Sequence, residues 1–104
     1  MYQEQFIQAI HERRKLRITF YSEEDKCSLT RVCAPMDIGP SRKAKHQKDY
    51  FHVWDYESDT KPHPLPLTPN NIKSIELLDD FFDPGEFIDW TPKWFIARDW
   101  GHYS

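Results

Sequence analysis

The stretch KDYFHVWDY, residues 48–56, decides the fold that this sequence predicts. Its two purely apolar residues, Phe51 and Val53, alternate with rings that carry polar atoms. Successive side chains of a β-strand point to opposite faces of the sheet, so this alternation predicts a strand with one apolar face. We expect Phe51 and Val53 to face the core. The opposite side of the strand, the ring face, then holds Tyr50, His52, Trp54 and Tyr56.

The strand pattern alone leaves three possibilities for what surrounds the ring face. The rings could themselves be core, with Phe51 outside, or they could form an exposed platform for a ligand. They could also be covered by residues from the C-terminus. The purely apolar character of Phe51 and Val53 favours the two alternatives in which the rings lie outside the core.

The residues before this strand predict a helix followed by a hairpin. Residues 3–13 place Phe6, Ile7 and Ile10 at helical spacing, with charged residues opposite, which indicates a short amphipathic helix. Alternation of apolar and polar residues then begins in LRITFY, and the polar cluster SEEDK is typical of a hairpin connection. We expect strands at residues 16–21 and 27–34, the second ending at Pro35.

The residues after the second strand predict a long loop, an unusual edge and a last strand. Residues 37–48 form a loop of about a dozen residues, and loops of this length in compact domains tend to be functional or disordered. Alternate prolines in KPHPLPL, residues 61–67, remove backbone donors from one side, which predicts an edge strand or a polyproline II segment. The apolar residues of IKSIELL, residues 72–78, indicate the fifth strand.

The C-terminal residues 83–104, the aromatic tail, combine two helix starts with many rings. Asp83-Pro84 and Thr91-Pro92 each place a capping residue before a proline, which predicts two short helices, and Gly101 is suited to a helix stop. The rings are too numerous to be left in solvent, so they pack on the domain, which we favour, or on a partner protein. The candidate partner-binding residues are Trp90, Trp94, Phe95 and Trp100.

Length and charge limit the class of protein that this sequence can encode. The 104 residues suit one domain, and the net charge of −3 conceals a mildly basic first half and a clearly acidic second half. No apolar run approaches the roughly 18 to 20 residues that span a bilayer, and the N-terminus has no secretory pattern, so we expect a cytoplasmic protein without a membrane partner.

Cys27 and Cys33 are expected to be free thiols, since one extended segment holds them far apart.

Read together, these segments resemble the WYL domain family. The resemblance begins at AIHERRKLRITFY, continues through RVCAPM and DYFHVWDY, and ends at LPLTPNNIKSIELLDDFF. The Trp-Tyr-Leu triplet that names the family corresponds here to Asp49-Tyr50-Phe51. Membership implies a mainly β, α+β fold: a small SH3- or Sm-like β-barrel of about five strands with an N-terminal helix. We therefore expect residues 1–82 to form the WYL-like domain, followed by the aromatic tail with its short helices.

The resemblance also implies a function. WYL domains are commonly the sensor part of bacterial transcription regulators, occur in CRISPR-associated proteins, and are thought to bind nucleic acid or small anionic ligands. From the residues themselves, a basic loop beside exposed rings is suited to single-stranded nucleic acid, because rings stack on bases and cations follow the backbone. Arg31 is expected either in a structural salt bridge or, by the resemblance, at the ligand. The candidate binding residues are Arg31, Arg42, Lys43, Lys45, Lys48, Tyr50, His52 and Trp54.

Catalytic and metal chemistry find little support. The His and Cys residues have no metal-binding spacing, no nucleophile motif is present, and the carboxylates lie in runs typical of solvated turns. We therefore expect no enzyme, no metal and no cofactor. Two hypotheses remain: a WYL-type regulatory module that binds nucleic acid or an anionic ligand, and a protein-interaction subunit that docks through its aromatic tail. The second includes a homo-oligomer, and the acidic second half would suit a basic protein partner.

Overall fold

The computed structural model describes residues 2–41, 48–57 and 61–104. One α-helix and five β-strands account for most of the regular structure. The helix, α1, spans Gln3–Glu12. The strands are β1 (Arg14–Ser22), β2 (Cys27–Pro40), β3 (Asp49–Asp55), β4 (His63–Leu67) and β5 (Ile72–Phe81). No helix in these described ranges is long and apolar enough to cross a membrane.

The five strands form a single antiparallel sheet in the order β4-β3-β2-β1-β5. This arrangement confirms the predicted mainly β fold with an N-terminal helix. The pairing does not close the sheet: β4 and β5 remain its two edges among the described residues. The expected SH3- or Sm-like barrel is therefore not shown. The 3₁₀ turn Pro69–Asn71 joins the two edge strands directly.

Helix α1 forms because its apolar residues share one face. Ala9 and Ile10 follow Phe6 by three and four residues, and all three are fully buried. The helix ends where Arg13 adopts the left-handed conformation, with a φ of 55°, and its backbone N–H donates to the carbonyls of Ala9 and Ile10. This is the usual geometry of a helix C-terminus, although glycine is the residue that occupies it at least cost.

The core lies between α1 and one face of the sheet, and it confirms the predicted strand alternation. Leu16, Ile18 and Phe20 of β1 are buried, while the residues between them are exposed or half-buried. In β3, Phe51 and Val53 are buried. The Phe51 ring packs against that of Phe6 at a centroid distance of 4.9 Å, which fixes the helix against the third strand.

Strand β2 is longer than its sequence predicts. It was expected to end at Pro35, yet it continues to Pro40 because a bulge accommodates the proline. Pro35 pairs with Val53 and Asp37 pairs with His52, so Met36 is an additional residue in the ladder. The predicted loop of residues 37–48 therefore begins only after Pro40. Residues 42–47 of that loop lie outside the described residues.

The proline-rich segment is an edge strand, as one of the two alternatives predicted. Within the described ranges β4 pairs with β3 alone, and Pro64 and Pro66 are exposed. Prolines on the outer edge supply no N–H groups that another strand could pair with. The fifth strand is also confirmed, although it runs to Phe81 rather than to residue 78.

The aromatic tail contains less helix than predicted. Asp83 caps as expected, since its Oδ1 accepts the backbone N–H of Gly85, but the helix is a single 3₁₀ turn, Pro84–Glu86. The second helix, expected from Thr91, is absent: residues 91–100 have no helical turn. Gly101, with a φ of 61°, begins a 3₁₀ turn instead of ending a helix. The physical reason is that backbone N–H groups of the tail donate to a side chain of β2.

Candidate ligand pocket under the aromatic tail

The aromatic tail packs on the ring face of β3. Trp54 stacks on Phe87 at a centroid distance of 5.2 Å, with only 13° between the ring planes. Tyr56 meets the same phenyl ring edge-on. Trp54 is half-buried as a result, whereas Phe87 is 7% exposed. This end of the ring face is therefore covered by the chain's own residues.

A single carboxylate, Asp37, holds the next part of the tail. Its Oδ2 accepts the backbone N–H of Phe95 at 2.8 Å, and its Oδ1 accepts that of Ile96 at 3.0 Å. Asp37 is 6% exposed and stands on β2 just after the bulge. Because these backbone donors are satisfied by a side chain from β2, residues 91–100 need not form the helical hydrogen bonds that their sequence suggests.

Arg98 also binds Asp37, and we call Asp37 with its bonds to Phe95, Ile96 and Arg98 the clamp. The Arg98 guanidinium lies over the indole rings of Trp94 and Trp100, 4.0 and 4.4 Å from the ring centroids. It donates to Asp37 Oδ1 at 3.3 Å and to the Met36 carbonyl, and its side chain has no exposed surface. Burial lowers the pKa of Arg98 to about 10, a shift that the nearby Asp37 partly offsets. The guanidinium is therefore charged at neutral pH, and its charge is matched by the carboxylate.

Trp100 belongs to the core. It is 2% exposed, and its indole N–H donates to the Ile10 carbonyl at the end of α1, at 2.8 Å. Phe82 and Trp94 pack edge-on against it. Trp94 is half-buried and donates its own indole N–H to the Tyr103 carbonyl. Of the four predicted partner-binding residues, Trp100 is thus unavailable to a partner at the surface.

A pocket of about 320 Å³ opens where the tail passes over β2 and β3. We call it the tail pocket. One wall comes from the strands and the other from the tail. On the strand side its chemistry is carried by Asp37, His52 and Ser41, the last of which follows the end of β2. On the tail side it is carried by Trp90, Lys93 and Phe95.

The free charge of the tail pocket is positive. Asp37 is the one carboxylate among the described lining residues; Arg98 neutralises its charge, and three backbone N–H groups donate hydrogen bonds to it. Lys93 is exposed and forms no salt bridge within the described part of the chain. One ring nitrogen of His52, Nε2, lies 2.9 Å from the Gly39 carbonyl. An anion can therefore approach the Lys93 ammonium without meeting an unpaired carboxylate in the pocket wall.

Two exposed rings border the pocket. Trp90 is 42% exposed and Phe95 is 66% exposed. The phenyl ring of Phe95 lies directly against Gly39 of β2, so close that a Cβ added at Gly39 would overlap it. The absence of a side chain at residue 39 is therefore what allows the Phe95 ring its position.

The structure brings together residues that the sequence assigned to different functions. His52, predicted for ligand binding, shares the pocket with Trp90, Trp94 and Phe95, predicted for partner binding. Tyr50 is next to His52, at a centroid distance of 6.3 Å. Lys48 places its ammonium 5.4 Å from the Tyr50 ring centroid.

Other predicted residues lie elsewhere. Arg31 stands on β2 opposite Ile18 and donates to the Glu57 carbonyl, and the carboxylate of Glu57 accepts the Val32 backbone N–H. Arg31 does not line the tail pocket. The predicted basic residues Arg42, Lys43 and Lys45 fall outside the described residues, so their prediction is unchanged.

Sequence reasoning missed four residues that shape the site: Gly39, Asp37, Lys93 and Arg98. A signal was present for two of them. Asp37 is an isolated acid between apolar neighbours, and Arg98 is the one arginine in residues 53–104, flanked by tryptophans four residues before and two after. Such isolated charges among apolar residues usually need a buried partner. Nothing in the sequence indicates that these two residues pair with each other.

The tail pocket contains groups that can bind a ligand. It offers a cation, hydroxyl groups and ring faces. Over the described ranges, no group of three or more His, Cys, Asp or Glu residues could hold a metal ion. No protein-family model, no curated protein and no solved structure matches this chain. The resemblance to the WYL family therefore stays a prediction.

Proposed function

We propose that this protein is a non-enzymatic binding module that holds single-stranded nucleic acid or a small anionic ligand in the tail pocket. The observation that carries the proposal is the combination of Lys93, which has no ion pair with any residue that the structure describes, with the exposed rings of Trp90 and Phe95. Aromatic side chains stack on bases of any sequence, and cations follow the backbone. Because Asp37 is paired with Arg98, its negative charge does not compete with an anionic ligand for Lys93.

Residues next to the pocket extend this chemistry. Ser41 lines the pocket, and Lys48 contacts Tyr50 on the neighbouring strand. The chain between them contains the basic residues Arg42, Lys43 and Lys45. If a longer strand reaches these residues, each phosphate contact with them releases counterions.

The proposal includes the finer assignments that the resemblance implies. They are a WYL-type domain with an SH3- or Sm-like barrel, and a regulatory role beside a transcription or CRISPR-type partner. The five-stranded sheet and the N-terminal helix have the strand number and helix position that the resemblance implies, whereas closure of the sheet into a barrel belongs to the proposal.

Fluorescence anisotropy with labelled single-stranded RNA and DNA at two salt concentrations tests the proposal. We expect binding that weakens with salt, and we expect Lys93→Glu to weaken it and to reduce the salt slope by about one, the effect of losing one phosphate contact. Lys43→Glu combined with Lys45→Glu should weaken it further. Lys73→Glu is the matched control, because Lys73 is an exposed lysine on β5 that does not line the pocket.

The result can contradict the proposal in two ways. Absence of binding at low salt would discard it. Equal losses in the Lys93→Glu and Lys73→Glu variants would show a general effect of net charge and would remove the tail pocket from the interaction.

A second candidate function rests on the same exposed rings. Trp90 and Phe95 could anchor a protein partner, since aromatic residues are enriched where protein surfaces meet. A double Trp90→Ala, Phe95→Ala variant should then lose specific proteins in a quantitative pull-down, while its single-stranded nucleic acid binding is measured in parallel. Light scattering over a concentration series tests whether the protein forms a homo-oligomer. The measured molar mass should then rise with concentration for the native chain and not for the variant.

A further inference from the structure

The tail pocket is small for a nucleic acid site. Its volume of about 320 Å³ lies at the lower end of the roughly 300–1,000 Å³ that small-molecule pockets occupy. A run of stacked bases would not fit inside it, whereas one ring with its attached sugar and anionic group would. The dimensions of the pocket therefore favour a single unit.

The charge of the pocket also matches a single unit. Lys93 is the one lysine or arginine among its described lining residues, and the Asp37 carboxylate is already matched by Arg98. One free ammonium pairs with one anionic group. Lys93 is two residues before Phe95 in the chain, so the cation and the most exposed ring of the pocket enter it from the same segment.

The Phe95 ring has contacts on one side although it is exposed. Its backbone N–H donates to Asp37, and its phenyl ring rests on Gly39. A ring that already has such a contact has less rotamer freedom to lose when a ligand stacks on it. The contact with Gly39 stabilises no core, because Phe95 is 66% exposed. What it provides is a flat surface at a defined position in the pocket wall.

We propose that the tail pocket binds one planar ring bearing one anionic group, the size of a mononucleotide, stacked on Phe95, and that Gly39 positions that ring. This inference rests on the proposed function and names its ligand class. The unit could be a free nucleotide or one nucleotide of a single strand, and the chemistry recognised is the same in both.

Competition experiments test the ligand class. A labelled single-stranded oligonucleotide is bound at low salt, and adenosine monophosphate, adenosine or inorganic phosphate is added. We expect the mononucleotide to displace the strand, and adenosine or phosphate alone to require at least about tenfold more, because each lacks either the anion or the ring. Tighter binding of a 5′-phosphorylated strand than of its 5′-hydroxyl form would identify the strand terminus as the source. Equal binding of both forms, with displacement by the mononucleotide, would identify an internal nucleotide.

Variants test the roles of Phe95 and Gly39. Phe95→Leu keeps apolar volume but removes the ring, and it should weaken mononucleotide binding about tenfold, within the range found for base–aromatic stacking. Phe95→Tyr, the conservative control, should retain binding. Gly39→Ala should weaken binding to a similar degree by displacing the ring. The double variant Gly39→Ala, Phe95→Leu should be no weaker than Phe95→Leu alone, because Gly39 acts through Phe95.

Failure of this inference differs from failure of the proposed function. If the strand binds in a Lys93-dependent manner and the mononucleotide does not displace it, the single-unit site is wrong and the binding module stands. If neither strand nor mononucleotide binds at low salt, both are wrong. Unchanged mononucleotide binding in Phe95→Leu would overturn the stacking role.

Discussion

Asp37 connects parts of the chain that are distant in sequence. It accepts hydrogen bonds from Phe95 and Ile96 and pairs with Arg98, 61 residues away. A buried carboxylate is costly unless its lone pairs and its charge are both matched, and here they are. The same pairing cancels the negative charge of Asp37 and leaves that of Lys93 in the pocket wall, so one residue serves both the stability of the tail and the charge of the site.

Removing the charge of Arg98 should therefore release the tail. We expect Arg98→Met to lower the free energy of unfolding by about 3–5 kcal/mol, because the variant leaves the Asp37 carboxylate buried without a partner. Urea unfolding followed by far-ultraviolet circular dichroism measures this change. Arg17→Met is the matched control: Arg17 pairs with Glu76 at the surface, and its loss should cost less than about 1 kcal/mol. Equal costs would contradict the clamp.

At the scale of elements, β2 shows what a one-dimensional pattern can and cannot indicate. The alternation in β1 and β3 predicted their buried residues, because alternation follows directly from strand geometry. For β2 the pattern indicated an end at Pro35. A bulge restores pairing after the proline, and a bulge depends on the partner strand β3, which the sequence of β2 alone does not contain.

The two cysteines of β2 provide a test of this element. Cys27 is exposed at the hairpin end, and Cys33 is fully buried opposite Leu16. Burial, with a smaller contribution from Asp55, raises the pKa of Cys33 well above its ordinary value. In the folded protein at pH 8 we expect a thiol reagent to modify Cys27 rapidly and Cys33 only after denaturant is added. Cys27→Ser should abolish the rapid phase, and two rapid phases in the native protein would contradict the burial of Cys33.

The same pKa shift has a defined effect on stability. The folded state keeps Cys33 protonated, whereas the unfolded chain ionises it near pH 8.5. Its contribution to stability is therefore fully present below that pH and declines as the pH rises toward the raised folded-state pKa. The free energy of unfolding of Cys33→Ala should depend less on pH above 8.5 than that of the native chain.

At the scale of the whole molecule, the sheet and the aromatic tail share one core. Phe87, Ile88 and Trp100 of the tail are buried with residues of α1 and the strands. Small domains have little surplus buried area, so removing three large side chains affects the entire structure. The tail is consequently part of the fold and also forms one wall of the pocket.

Deletion of residues 83–104 should destabilise the remaining chain. The loss of Trp100 alone is comparable to a large-to-small core substitution, which costs about 3–5 kcal/mol. We expect the truncated chain to bind a hydrophobic dye and to lose its cooperative thermal transition. Full-length Phe95→Ala, which removes an exposed ring of the tail, should melt close to the native protein. A truncated chain that melts at the native temperature would show that the tail is dispensable to the core.

The sequence by itself determined the local features: the amphipathic helix, the alternating strands, the proline-blocked edge and the supply of rings and cations. These follow from spacing along the chain, because helix and strand geometry repeat every few residues. Only the tertiary structure decided that Asp37 holds Arg98, that Trp100 is core while Phe95 is exposed, and that His52 and Lys93 share a pocket. Such choices depend on contacts between segments far apart in sequence, and no local pattern encodes which of many similar rings another strand will cover.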